Sequence, residues 1–347
     1  MQPLSIEQCL LLGFTSLVIV GVITPILRLV AKRYGFVDSP SESHKTHENP
    51  VPYFGGVGIA IGVVGVTYLA SLVSAFSRET FFLASSVLLP AIILGVVGFI
   101  DDLRNLSPWF RFITQSIFGF AVSLLLVATN TLGSPFGINW LDIPITILFI
   151  VGITNSINFY DNIDGGASGA IALAAVCLFI LSWQSGQSLI AALSIVLAGA
   201  TLGFLVWNKP PARIYMGDAG ALFLGFLIAS LAIRFDPNPI DQIASYAIPL
   251  LLLAMPILDT SVAVASRIRR RVSPFQGGRD HLSHRLLRLG FTKRQSIMIL
   301  WVGSMIFGFF AIAISNVSYS MERLLTILAG AVWVMLFVGF LRTADSQ

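Results

Sequence analysis

Eleven long apolar stretches, each close to the length needed to cross the hydrocarbon of a bilayer, account for most of this 347-residue chain. A membrane-spanning helix needs about 20 mainly apolar residues. Within lipid, only helices and closed barrels satisfy every backbone polar group. The runs cover about 6–30, 54–76, 81–100, 108–129, 141–158, 166–184, 188–207, 219–235, 243–266, 295–316 and 320–341. With 56% hydrophobic and 11% charged residues against about 25% charged in soluble domains, the expectation is an all-α polytopic membrane protein. It forms a single integral membrane domain over residues 1–347, with about eleven transmembrane helices and no soluble domain. The net charge of +4 offers nucleic acid no footing. Cys9 and Cys177 both fall inside apolar runs, so neither a disulfide framework nor a thiolate metal site is readable. The basic residues Arg28, Lys32 and Arg33 follow the first run, the reverse of a cleaved signal peptide, so that run reads as a retained span.

Charge placement orients the spans. Alternate connections carry eighteen of the basic residues on one side and only Arg78, Arg234 and Arg323 on the other. The positive-inside rule makes the richer side cytoplasmic, with the N-terminus outside and the C-terminus inside. Eight of the twelve aspartates share that side: Asp38, Asp101, Asp102, Asp161, Asp164, Asp218, Asp259 and Asp280. All four histidines do too. An acid within a span costs roughly 2.5–3.5 kcal/mol on insertion scales, so such acids usually face a cavity and mark function. Acids gathered from several spans repel unless a cation or substrate draws them together. A cation-coupled transporter would use similar acids, but nearer mid-bilayer, and no internal repeat of the transporter kind is evident.

Five segments on that side carry the chemistry. In GVVGFIDDLRNLSPWFR the doublet Asp101-Asp102 follows an uncharged run, and Leu106-Ser107-Pro108 reads as the start of the next helix, with Arg111 in its first turn. Polar residues simply resuming at a span end would explain one acid; two adjacent acids repel, and suit magnesium, which takes oxygen ligands together with substrate phosphates. In NSINFYDNIDGG, residues Asn155, Asn158, Asp161 and Asp164 recur every three positions and would line one helix face. Asp218 opens a long apolar run after Met216-Gly217, where helix N-capping and metal binding are both open readings. The first cytoplasmic loop, 37–56, places Lys45 among His44 and His47, and is either a solvated linker or a phosphate-binding loop. In 266–295, Arg279, His281, His284 and Arg285 suit a lipid-binding basic patch, a zinc site built from the histidine pairs, or a nucleotide-diphosphate contact.

In the same order and on the same face, from about residue 35 to 290, these motifs resemble those of the polyprenyl-phosphate N-acetylhexosamine-1-phosphate transferases, glycosyltransferase family 4. The resemblance is strongest to the bacterial undecaprenyl-phosphate N-acetylglucosamine-1-phosphate transferases of O-antigen and teichoic-acid synthesis. It rests on Asp101-Asp102, Leu106-Ser107-Pro108, Asn158-x-x-Asp161-x-x-Asp164-Gly165, Met216-Gly217-Asp218-Ala219-Gly220 and Arg279-Asp280-His281. It implies ten or eleven helices around a cleft at the cytoplasmic face of the plasma (inner) membrane. It also implies a UDP-N-acetylhexosamine donor, a polyprenyl phosphate acceptor, UMP as product, and magnesium, with manganese as its substitute; a homodimer is left open. By resemblance Asn158 and Asp218 bind the metal, and Asp101, Asp102, Asp161 and Asp164 serve catalysis. Lys45, His47, Arg111, Asn155, Arg279, His281 and His284 contact substrates. The muramyl-pentapeptide phosphotransferases are the alternative within the same enzyme class. Three departures from the family pattern stand out: Ser283 where a histidine is common, Asn162 where glycine is common, and Trp109 with Arg111 where lysines are common.

Overall fold

The computed structural model describes residues 4–38, 50–73, 78–104, 106–128, 139–237, 242–274 and 278–343. Among them the chain is almost wholly helical. Seven helices run through the first two-thirds: α1 Ile6–Tyr34, α2 Gly55–Val73, α3 Arg78–Arg104, α4 Pro108–Ala128, α5 Asn139–Tyr160, α6 Gly166–Gln184 and α7 Ser188–Asn208. Six more follow: α8 Gly217–Arg234, α9 Gln242–Leu252, α10 Ala254–Arg269, α11 Leu282–Arg288, α12 Lys293–Ile314 and α13 Tyr319–Arg342. Ten of these are long and apolar enough to cross a membrane.

The eleventh expected span, 243–266, is not one continuous helix. α9 and α10 meet at Leu253 with a bend of 78°. Pro249 inside α9 and Pro256 in the first turn of α10 flank the break, and each lacks a backbone N–H for the helical ladder. The doublet also differs from its expected place. α3 runs on to Arg104, so Asp101 and Asp102 sit inside its last turn rather than after it. Adjacent helical positions point about 100° apart, which sends the two carboxylates to different partners.

α8 is the axis of the bundle, with nearly every residue buried. Small residues let its N-terminal end come very close to α2 and α3. A Cβ on Gly98 of α3 would lie 2.3 Å from the Asp218 carbonyl oxygen, and one on Gly56 of α2 would lie 2.2 Å from the Gly220 nitrogen. This close packing delivers the end of α3 to the start of α8.

The first long connection is tied to the same place. Its described ends form a two-stranded antiparallel hairpin, β1 Val37–Asp38 with β2 Val51–Pro52. Tyr215 N–H donates to the Pro52 carbonyl, while Gly55 and Gly56 donate to those of Tyr215 and Met216, all near 3.0 Å.

Candidate active site

The start of α8 organises the acid cluster. Gly217 has φ +69°, a left-handed conformation that disfavours side chains, and a Cβ there would lie 2.5 Å from Asp102 Oδ2. Asp102 uses the room. Its Oδ1 accepts the Asp218 N–H at 2.8 Å and its Oδ2 the Ala219 N–H at 3.1 Å. The helix is therefore capped by a carboxylate from α3, at the end where the helix dipole favours negative charge. Asp218, one of whose open readings was the cap, is instead the second residue of the helix and its carboxylate faces outward to other side chains.

Asp101 is 4% exposed. It accepts the Leu106 N–H and, on Oδ2, the guanidinium of Arg111 at 2.6 Å. The same Arg111 nitrogen reaches Asp218 Oδ2 at 3.0 Å, so one guanidinium joins the carboxylates of α3 and α8. α4 starts as its motif indicates: Pro108 occupies its first position and Ser107 Oγ accepts the Phe110 N–H. That start places Arg111 in the first turn. Across the cluster, Asn158 Nδ2 donates to Asp218 Oδ1 at 2.6 Å.

Asp161 lies just past the end of α5. Burial raises its pKa well above the ordinary carboxylate value, and the charges of Asp218, Asp164 and Asp102 raise it further. Among the described residues, no donor or counter-ion meets its carboxylate. Asp164, by contrast, accepts the Ala212 N–H at 3.0 Å and pins the turn that leads into Tyr215. Asn155, one turn before Asn158, bonds Gln115 Oε1 and the Val151 carbonyl.

The histidine segment forms a second wall. His281 Nδ1 and Asp259 Oδ2 are 2.7 Å apart, and Asp259 Oδ1 accepts the Leu282 N–H at 2.6 Å. The other ring nitrogen of His281 faces Arg267 Nη2 at 3.3 Å. Asp280 takes Arg267 at 3.0 Å and also Arg270. His281 is thus bonded on both ring nitrogens within the protein. His284 is held neutral: burial lowers its pKa to about 4, with His281 the next contributor, Asp259 opposing and Arg279 and Arg288 adding to it. Arg279 is exposed at the rim. Two departures from the family pattern turn out to touch: Ser283 Oγ donates to Asn162 Oδ1, and Asn162 Nδ2 donates to the Phe159 carbonyl at 2.6 Å.

Of the expected site residues, the fold gathers Asp101, Asp102, Arg111, Asn158, Asp161 and Asp218 into one cluster, with Asp164 and Asn155 at its edges. His281 and His284 stand on the adjoining wall, joined to the Asp161 turn through Asn162. Lys45 and His47 lie outside the described residues. Asp259 and Gln115 had not been picked out as site residues. Asp259 carried a signal, as one of the eight aspartates on one face, whereas Gln115 looked like one polar residue in an apolar run.

The carboxylates of Asp101 and Asp218, the amide of Asn158 and the guanidinium of Arg111 converge on the gap between α3, α5 and α8. Among the described residues, no three His, Cys, Asp or Glu side chains form a metal-holding group by themselves. The carboxylate oxygens of Asp218 and Asp101 are of the kind that magnesium takes when it completes its shell with water and substrate phosphates.

Residues 83–236 match glycosyl transferase family 4. The chain is 33% identical to a probable undecaprenyl-phosphate N-acetylglucosaminyl 1-phosphate transferase of Bacillus subtilis, over 94% of this chain and 87% of that protein. It is 31% identical to a decaprenyl-phosphate N-acetylglucosaminephosphotransferase of Mycobacterium tuberculosis, over 95% of this chain and 87% of that protein. A phospho-N-acetylmuramoyl-pentapeptide-transferase of Geobacillus thermodenitrificans is 27% identical, over 89% of this chain and 98% of that protein.

Proposed function

Because the chain belongs to glycosyl transferase family 4, we propose that it transfers N-acetylglucosamine-1-phosphate from UDP-N-acetylglucosamine to a polyprenyl phosphate. UMP leaves, and the lipid-linked sugar enters cell-envelope glycan synthesis. The observation that carries this reading is the Asp101–Arg111–Asp218–Asn158 cluster. It sits where the ends of four membrane-spanning helices meet, within reach of both a water-soluble donor and a lipid acceptor.

The reaction forms a P–O bond between an acceptor phosphate oxygen and the sugar-bearing phosphorus. It breaks the bond from that phosphorus to the oxygen bridging to the uridine-bearing phosphate. Such transfers depend mainly on positioning and charge neutralisation. The acceptor phosphate has a second pKa of about 6 and is largely ionised near neutrality. Arg111 supplies positive charge at the point where α3, α4 and α8 meet, and draws phosphate oxygens there. Asp102 orients the start of α8, each of its oxygens accepting a backbone N–H group there. Asp101 orients Arg111. Asp161, whose carboxylate meets no donor among the described residues, becomes the acceptor of any residual proton once a bound cation offsets the neighbouring carboxylates. Asp218 and Asn158 would hold magnesium, which when bound neutralises charge on the diphosphate and the departing UMP. The paired wall of Asp259, His281 and Arg267 frames the sugar side, with neutral His284 able to hydrogen-bond the donor. The site faces the cytoplasm, where basic residues concentrate.

The test is radiolabelled UDP-N-acetylglucosamine with undecaprenyl phosphate and magnesium, using purified protein, with UDP-N-acetylmuramoyl-pentapeptide as a parallel donor. Labelled lipid and UMP from the first donor support the reading. Product only from the second donor, or no UMP from either, overturns it.

A further inference from the structure

Only two buried side-chain nitrogens among the described residues find no hydrogen-bond acceptor: Gln115 Nε2 and Arg234 Nη2. Arg234 lies at the far end of α8, where its other terminal nitrogen donates to the Leu83 carbonyl. Gln115 is beside the acid cluster and is 1% exposed. Among the described residues, some buried hydroxyls of the spans, such as Thr154 and Thr201, turn back onto a carbonyl of their own helix, while others, such as Thr146 and Ser194, also meet no partner. The amide of Gln115 has no such outlet, and an unmet buried donor of this kind costs about 1–3 kcal/mol.

Its orientation is imposed by its neighbours. Asn155 Nδ2 donates to the Val151 carbonyl at 2.8 Å, which fixes which end of the Asn155 amide carries hydrogen. The same Nδ2 donates to Gln115 Oε1 at 2.6 Å. The Gln115 oxygen must therefore face Asn155, leaving its NH2 group on the other side. Along α4, Gln115 follows Arg111 by four residues, so the two are neighbours on one helix face, about 5–6 Å apart. One turn further on, a Cβ on Gly119 would lie 3.7–3.8 Å from Val151 and Ile147 of α5, and the inner face then carries Val122, Ser123 and Leu126, all buried. Gln115 is thus the one side-chain donor of α4, among the described residues, that is buried and meets no acceptor. The opposite face of α4 exposes Phe112, Ile113, Ile117 and Phe120 to lipid.

We propose that Gln115 Nε2 binds a phosphate oxygen of the polyprenyl phosphate acceptor, working beside Arg111 to seat the lipid headgroup at the boundary between the acid cluster and the bilayer. This deepens the transferase reading and rests on it for the identity of the acceptor. A headgroup with a hydrocarbon tail is the ligand that spans this boundary. The nucleotide donor, water-soluble at both ends, has no reason to occupy the membrane side of Arg111.

The test uses full-length protein in nanodiscs. Gln115→Met, similar in size but without donors, should raise KM for undecaprenyl phosphate tenfold or more and leave KM for UDP-N-acetylglucosamine within about twofold, as expected for a hydrogen bond to a charged group. Gln115→Glu, which adds a repelling carboxylate, should do worse than Gln115→Met. Thermal stabilisation by undecaprenyl phosphate alone, with no donor present, should be lost in both variants, while stabilisation by UDP-N-acetylglucosamine with magnesium persists. An unchanged acceptor KM and unchanged lipid stabilisation in Gln115→Met, or a shift confined to the donor KM, overturns the proposal. Because lipid stabilisation needs no turnover, a wild-type protein that binds the lipid at Gln115 yet releases no UMP would refute the transferase reading alone.

Discussion

The two polar walls of this molecule treat charge in opposite ways. On the histidine wall every acid is matched: Asp259 with His281 and a backbone N–H, Asp280 with Arg267 and Arg270. In the acid cluster, one guanidinium, Arg111, bonds both Asp101 and Asp218, while the carboxyl groups of Asp102 and Asp161 stand close by without a cation of their own among the described residues. A matched network needs no added cation to hold its shape. An unmatched one, at the end of membrane spans, is stable only as far as something else supplies the missing positive charge. On the proposed reading, the acid cluster is the wall that meets cation and diphosphate.

If the histidine wall is scaffold, breaking it should damage the fold most. Asp280→Ala leaves the buried Arg267 without its carboxylate, and removal of one partner of a buried pair costs roughly 3–5 kcal/mol. The expected result is a marked fall in the thermal midpoint of detergent-solubilised protein. The acid cluster should respond the other way. Asp218→Asn is expected to lower UMP release at least a hundredfold with little loss of thermal midpoint. An equal fall in stability for the two variants would erase the distinction.

Asp161→Asn sharpens it further. Removing a repelled carboxylate should lower activity about tenfold or more, yet leave the midpoint without divalent ions unchanged or higher. The sign follows from its raised pKa. The folded protein prefers Asp161 protonated, so wild-type stability from this group is full below the ordinary carboxylate pKa of about 4 and is lost as pH rises. Asp161→Asn should flatten that fall.

The contact between Ser283 and Asn162 predicts coupling between two positions that are distant in sequence. Asn162→Gly and Ser283→Ala should be non-additive in KM for the donor, with a coupling of about 0.5–1 kcal/mol. Strict additivity would mean the contact is incidental. The smallest effect belongs to His284. Its pKa of about 4 lies below the unfolded value, so its contribution is full above about 6.5 and is lost as pH falls toward 4. A His284→Gln midpoint curve should lack that component.

Much of this was legible in the sequence because hydropathy and charge report where a helix ends and which end it is. The spans, the doublet, the Asn158-x-x-Asp161 stripe, Asp218 and the Arg111 turn all emerge from that reading, and the fold brings them together. What one residue bonds to across the bundle was not legible. Asp102 caps α8 only because Gly98 and Gly217 let two helices touch there, and a list of motifs does not contain that packing. The break at Leu253 was hidden because the apolar run continues through it. Gln115 was hidden for the opposite reason: one amide in an apolar span looks incidental until its neighbours show that its NH2 has been left unmet.

The central claim is that the acid cluster, and not the histidine wall, takes up a divalent cation. Electron paramagnetic resonance of Mn2+ titrated into purified protein with UDP-N-acetylglucosamine tests it directly. The account predicts bound Mn2+ in the wild type, loss of that signal in Asp218→Asn, and retention in a folded Asp280→Asn. Equal Mn2+ uptake by wild type and Asp218→Asn would contradict it.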